Sequence, residues 1–240
     1  MSADLPLSTT ARTTLHRLSE RGKTERADLY TVLDAGVICH LGVIINGYPV
    51  VLPTGYGRED DTLYLHGSSG NQAMRAADGH EICVTVTHVD GLVCARSLFN
   101  HSINYRSAAI FGTARLLQDD ARKLAALRVV TEQLVPGRWD HARQPNRKEL
   151  AATAVLELPL AEASVKVRTG GPHDDEEDYA LDVWAGVVPA QLTFGLAEPD
   201  PDLRPGVEVP DHIKALAGHP RGAKRSGRSL GSVTGGLAYP

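Results

Sequence analysis

The residues best able to do chemistry fall in a few short segments. The first is Leu63-Tyr64-Leu65-His66-Gly67-Ser68-Ser69-Gly70-Asn71. A strand-like stretch enters a glycine- and serine-rich turn, and a helix begins after it. Backbone N–H groups and hydroxyls gather at such a turn, and the unpaired donors of a helix start attract anions. Two readings of Ser68 and Ser69 stand side by side. They are a plain cap on the following helix, or donors to a phosphate monoester. His66 has a side chain that titrates near neutral pH and can move a proton; its alternative is a strand-end histidine bonded to backbone.

A second segment, Asn104-Tyr105-Arg106-Ser107, opens a long strand. Its arginine reads either as a ligand contact or as a solvated charge. In the third, Ser164-Val165-Lys166-Val167-Arg168-Thr169-Gly170, alternation puts Ser164, Lys166 and Arg168 on one face of a strand. Two cations and a hydroxyl suit a phosphate, and equally suit an edge strand guarded by charge. Trp184 stands in the apolar run Val183-Trp184-Ala185-Gly186-Val187-Val188-Pro189, as a core residue or as a stacking surface for a flat ligand. The chain has 10 histidines; His40, His88 and His101 join His66 as possible axial ligands to a haem. No Cys pair or Cys/His cluster has zinc spacing, so no metal-ion site is expected.

These residues need elements to position them. Ala27 to Ala35 reads as a helix stopped by Gly36. Val37 to Ile45 and Tyr48 to Leu52 are apolar, β-branched runs joined by Asn46-Gly47, a strong hairpin signal because both turn residues take positive φ. Thr62 to His66 is a third strand, and Asn71 to Ala77 a short helix ended by Gly79. Glu81 to His88 and Leu92 to Ser97 read as a second hairpin, turned at Asp90-Gly91. Tyr105 to Leu117 is a long strand whose Gly112 marks a bulge or close approach. A helix opens at Asp119 and Asp120 and runs to about Val135, with Leu124, Leu127, Val130 and Leu134 on its apolar face. Ala152 to Leu158 and Ala163 to Arg168 are further strands, and Gly170 to Tyr179 is an acidic, solvated loop. Short strands with tight turns and few helices argue for a mainly β fold, an antiparallel barrel with peripheral helices. No G-x-G-x-x-G lies between a strand and a helix, against a Rossmann fold.

The 240 residues divide into a poorly anchored arm (1–25), one domain (26–197) and a Pro/Gly-rich extension (198–240) that reads as disordered from Gly218. The net charge of −4 carries no concentrated basic face, against nucleic-acid binding. No stretch has the length of a membrane span or the core of a signal peptide. Cys39, Cys83 and Cys94 lie in apolar runs and read as buried thiols of a reducing compartment, which points to the cytoplasm.

Several of these segments recur in one order. They are a hairpin ending in Pro53-Thr54-Gly55-Tyr56, the Leu-Tyr-Leu-His-Gly strand with its turn and helix, and the Tyr105-Arg106-Ser107 strand with Gly112. The Lys166-x-Arg168-Thr-Gly segment and Trp-Ala-Gly-Val-Val-Pro follow. In that order, over about Glu25 to Leu196, the chain resembles the pyridoxamine 5′-phosphate oxidase-like, flavin-nucleotide-binding family, in the branch with nitroimidazole-reductase-like proteins. The resemblance implies a Greek-key-like split β-barrel and a homodimer with flavin mononucleotide (FMN) between subunits. It implies a flavin-dependent oxidoreductase acting on a small organic substrate. Leu52, Pro53 and Thr54 would line the isoalloxazine ring with backbone atoms. His66, Gly67, Ser68, Ser69 and Asn71 would lie along the ribityl-phosphate, with His66 as the proton-transfer residue. Tyr105, Arg106 and Ser107 would border the same groove, and Lys166, Arg168 and Trp184 would join it. Relatives often carry a basic residue where Asn71 and Gln72 stand here. A deazaflavin or a haem is the alternative cofactor, and a non-catalytic binding protein the alternative function. The C-terminal region lacks the basic and aromatic set of a pyridoxal-phosphate product site, so pyridoxamine-phosphate oxidation itself is not expected.

Overall fold

The computed structural model describes residues 6–218. Its strands are β1 (Gly22–Lys23), β2 (Ile38–Ile45), β3 (Tyr48–Glu59), β4 (Thr62–Ser68), β5 (Glu81–Cys94), β6 (Ser102–Thr113), β7 (Arg115–Leu116), β8 (Thr153–Pro159), β9 (Glu162–Arg168) and β10 (Gly186–Pro189). Its helices are α1 (Arg26–Ala35), α2 (Gln72–Ala77), α3 (Asp120–Leu134), α4 (Arg147–Ala152) and α5 (Asp211–Lys214).

The strands run antiparallel in the order β1-β9-β6-β5-β2-β3-β4-β8-β7, with β10 added to β5. Two elements serve both halves of the sheet. The first part of β3 pairs with β2 and the rest with β4. β6 pairs with β5 and β9, and the chain then continues into β7 against β8. The sheet thereby wraps into the expected split barrel.

Alternation decides which face is core. Along β2, Cys39, Leu41 and Val43 are buried while Ile38, His40 and Ile44 face out. Inside, Leu29 and Leu33 of α1 meet Tyr56, Leu63, Leu65, Val84, Ile110, Leu156 and Leu158. Full burial contributes roughly 1.5–3 kcal/mol for each such aliphatic side chain. The Tyr56 hydroxyl donates to the Leu33 carbonyl, so its polar tip is satisfied inside the core. Burial pushes the Cys39 thiol up to about 12, and all three cysteines are free.

The hairpin at Asn46-Gly47 forms as expected, with both residues at positive φ (52° and 83°). Asp90-Gly91 makes no turn: β5 runs straight through it, with only a register shift between Val89 and Gly91. The reason is tertiary. β10 lies on β5 there, and a Cβ at Gly91 would stand 2.9 Å from the Val188 carbonyl oxygen. The glycine admits a neighbouring strand instead of a turn.

The N-terminal arm is also anchored, against expectation. Thr10 and Arg12 bond Glu162, Arg12 pairs with Glu81, and β1 extends the sheet at β9. The acidic loop after Gly170 is pinned by one carboxylate, Asp174, on Arg96 and Ser97. Residues 198–218 carry α5 and return to the domain where Gly218 N–H donates to Phe194 O at 3.0 Å. The tail expected from Gly218 to Pro240 otherwise lies outside the described residues.

Candidate functional site

The β4–α2 connection is one candidate region. Ser69 N–H donates to the Ala152 carbonyl at 2.8 Å, and the Ser68 hydroxyl accepts from Gly70 N–H at 3.2 Å. The helix cap is neither serine: Asn71 Oδ1 accepts from Ala73 N–H at 2.8 Å. The hydroxyls of Ser68 and Ser69 are thus not needed to close α2, and both residues are exposed. Arg75 folds back from α2 so that Nη2 donates to the Gly70 carbonyl at 3.0 Å. A cation therefore stands at this turn although Asn71 and Gln72 are neutral. The signal for it is its position four residues past the cap, one helical turn on.

His66 is half-buried beside this turn, in β4 opposite Val155. Its Nδ1 is buried with no hydrogen-bond partner among the described residues, so the expected backbone bond is not made there. Burial pushes its pKa below the ordinary histidine value. An enclosed, unpartnered imidazole nitrogen is a group able to hold or pass a proton.

A second candidate region is the outward face of the sheet. Directly opposed residues share a face. One row reads Lys166, Ser107 and Thr87; the next reads Ser164, Ala109, Thr85, His40 and Pro53; a third reads Arg168, Tyr105 and Val89. Small hydroxyl residues fill the middle. Exposed aliphatics surround them, among them Ile38, Val51 and Val89, with Val51 64 % exposed. Leu52 and Thr54 have the opposite parity to Pro53 on β3, opposite Leu41 and Cys39.

A cavity of about 630 Å³ opens on this face, lined by Thr87, Val89, His101, Ser102, Ile103 and Tyr105. That volume is within the range of small-molecule and cofactor sites. His101 is held by Nδ1, 2.9 Å from the Ser97 carbonyl, and its Nε2 has no partner among the described residues. His88 is engaged elsewhere, Nε2 lying 2.9 Å from the Val32 carbonyl. His40 is exposed away from the cavity lining.

The three expected cations are engaged within the chain. Arg106 makes a two-pronged pair with Asp90 (2.9 and 2.8 Å) on the opposite face from Tyr105. Lys166 Nζ donates to the Arg17 carbonyl at 3.1 Å. Arg168 is buried and donates to Asn104 and to the Gly171 carbonyl. Trp184 is 67 % exposed rather than core, its ring lying over Gly186. Among the described residues, no cluster of three or more His, Cys, Asp or Glu is placed to hold a metal ion, and no helix is long and apolar enough to cross a membrane.

Known proteins share this architecture. The flavocytochrome Anf3 from Azotobacter vinelandii is 42 % identical, with 88 % of this chain and 99 % of that one covered and a TM-score of 0.84. The FAD and heme binding protein from Mycobacterium smegmatis is 38 % identical, covering 82 % of this chain and 97 % of that one, with a TM-score of 0.79. A candidate 5-nitroimidazole antibiotic resistance protein from Bacteroides thetaiotaomicron, 20 % identical, covers 61 % of this chain and 86 % of that one, with a TM-score of 0.53, and shares the fold. No curated protein matches. The sequence profile of pyridoxamine 5′-phosphate oxidase matches residues 25–167, from the start of α1 almost to the end of β9. That span is more than half of the chain and holds β2 to β8, most of β9, the β4–α2 turn and the cavity lining. The chain belongs to the pyridoxamine 5′-phosphate oxidase family.

Proposed function

We propose that this chain is a redox protein that binds a flavin and a haem, and that it works as a homodimer. The observation that carries the reading is the open cavity of about 630 Å³ on an apolar sheet face, lined in part by His101, whose Nε2 has no partner among the described residues. The choice of groups is supported by the two similar proteins, a flavocytochrome and an FAD and heme binding protein. FAD is accordingly favoured over FMN or a deazaflavin.

The residues present fit these groups. The Ser68–Asn71 turn offers exposed hydroxyls and the Arg75 guanidinium to a phosphate. Pro53, Thr85, Thr87 and Ser107 offer a flat face of small side chains to a ring system. His66 has an enclosed nitrogen for a proton. His101 lines the cavity and keeps Nε2 unpartnered among the described residues, as an axial ligand requires, whereas His88 is outside the lining and its Nε2 is engaged. A bound flavin supplies hydride and single-electron chemistry, and a haem supplies single-electron and oxygen chemistry. The chain orients these groups, supplies His66 beside the turn, and keeps water from the apolar face.

A second copy of the chain covers that face. Exposed Ile38, Val51, Val89 and Ile103 form an apolar surface of the kind that an isologous partner buries. The substrate is a small, flat, reducible organic molecule. The free thiols, with Cys39 buried and Cys83 and Cys94 half-buried, suit the cytoplasm.

The absorbance spectrum of the purified protein tests this reading, followed by extraction and chromatography of the bound groups and by light scattering. Flavin and Soret bands, FAD in the extract and a dimer mass are expected. A colourless protein that takes up neither FAD nor haemin overturns the reading. Tight binding without turnover of reduced donor and acceptor would make it a binding protein instead of an oxidoreductase.

A further inference from the structure

The orientation of His101 traces to a carboxylate far along the chain. His101 Nδ1 lies 2.9 Å from the carbonyl oxygen of Ser97. A carbonyl can only accept, so Nδ1 carries the proton and Nε2 keeps its lone pair. Neutral histidine in water favours the opposite tautomer, so the Ser97 carbonyl selects this one. The same carbonyl accepts from Asn100 N–H at 3.1 Å, and the Ser97 hydroxyl accepts from Phe99 N–H at 3.3 Å. The tight turn of residues 98–100 therefore presents His101 only while the backbone at Arg96 and Ser97 stays in place.

Asp174 holds that backbone. Its Oδ1 accepts from Arg96 N–H at 2.9 Å and Ser97 N–H at 3.2 Å, and its Oδ2 accepts from Arg96 Nη1 at 3.1 Å. Its side chain has no exposed surface, whereas its neighbours Asp175, Glu176 and Glu177 are exposed. The Arg96 guanidinium also sits 4.8 Å over the Tyr179 ring, from the same acidic loop. Charge-assisted bonds to two consecutive amides are stronger and more directional than neutral ones.

We infer that Asp174 is a positioning residue for His101. By fixing the Arg96–Ser97 backbone it sets the Nδ1–H tautomer, which leaves Nε2 of this cavity-lining residue as an acceptor. An imidazole that ligates a metal through Nε2 commonly has that arrangement, with its other nitrogen donating to a fixed acceptor. The consequence for haem rests on the function proposed above; the tautomer itself does not.

The test is imidazole ¹⁵N–¹H NMR at His101 in the full chain, joined to haemin titration. Wild type is expected to show the proton on Nδ1. Asp174→Ala is expected to shift His101 toward Nε2–H and to weaken haemin binding about 10- to 100-fold. Asp174→Asn keeps an oxygen for both amides, so it is expected to restore the wild-type tautomer. If Asp174→Ala fails to fold, amide exchange carries the test, with Arg96 and Ser97 expected to be protected in wild type and in Asp174→Asn. A folded Asp174→Ala with an unchanged tautomer overturns the inference, as do unprotected Arg96 and Ser97 amides in wild type. A shifted tautomer with unchanged haemin affinity supports the positioning role and removes His101 as the haem ligand.

Discussion

Gly57 of β3 lies directly beneath Val130 of α3: a Cβ built on Gly57 would stand 2.7 Å from both the Cα and the N of Val130. The helix therefore rests backbone against backbone on the sheet, and Gly57→Ala forces the two apart. A loss of about 1–3 kcal/mol is expected, the usual cost of overpacking. Gly171→Ala, with nothing within 4 Å of the added carbon, is the control. Urea titrations of the two variants check this, and equal midpoints would refute it.

Arg26 ties the start of α1 to the barrel. It is 3 % exposed, and its Nη1 donates to the Leu160 carbonyl at 2.9 Å and to Asp61 at 2.8 Å. Arg26→Met keeps the stem but removes the charge, leaving the buried Leu160 carbonyl without this donor. Tyr30 keeps Asp61 partnered through a 2.6 Å bond, so the expected cost is about 3 kcal/mol, the low end for a broken buried pair. Thermal or denaturant unfolding measures it.

The segment around α5 is expected to loosen in acid. Both ring nitrogens of His212 are buried without partners among the described residues, and its ring lies 4.3 Å from that of His141. Burial lowers its pKa below the ordinary value near 6.5, helped by His141 and Arg138 and opposed by Glu132 and Asp211. The docked form thus binds fewer protons than the free one. Docking is complete above about pH 6.5 and is lost as pH falls through the lowered value. Hydrogen–deuterium exchange of residues 211–217 at pH 8 and pH 5 tests it. His212→Leu should remain docked at both, and a pH response that survives in that variant would assign the effect elsewhere.

Flavin affinity should depend on Arg75. If the Ser68–Asn71 turn holds a phosphate, Arg75→Gln removes a charged donor worth about 1.5–3 kcal/mol, which is roughly a tenfold to hundredfold rise in Kd. The loss should shrink at high salt. Fluorescence titration with FAD and FMN measures both, and an unchanged Kd would place the phosphate elsewhere.

The sequence alone carried whatever a few adjacent residues determine. Asn46-Gly47 set one hairpin because its turn needs positive φ at both positions. Asp119 capped α3 with a carboxylate on Arg122 N–H, and alternation along β2 separated core from surface. The order of such segments was enough for the family. Tertiary structure decided the rest, because those outcomes depend on residues far apart in the chain. Asp90-Gly91 has the composition of a turn, yet β10 arriving from residues 186–189 makes it the interior of a strand. Trp184 has an apolar setting, yet the described residues leave it 67 % exposed. Lys166 and Arg168 share a face as read, but the arm and Asn104 occupy them. Only the folded chain brings the Arg75 guanidinium back to Gly70, or Asp174 across 78 positions to Arg96, since charge in a sequence has no direction until packing gives it one.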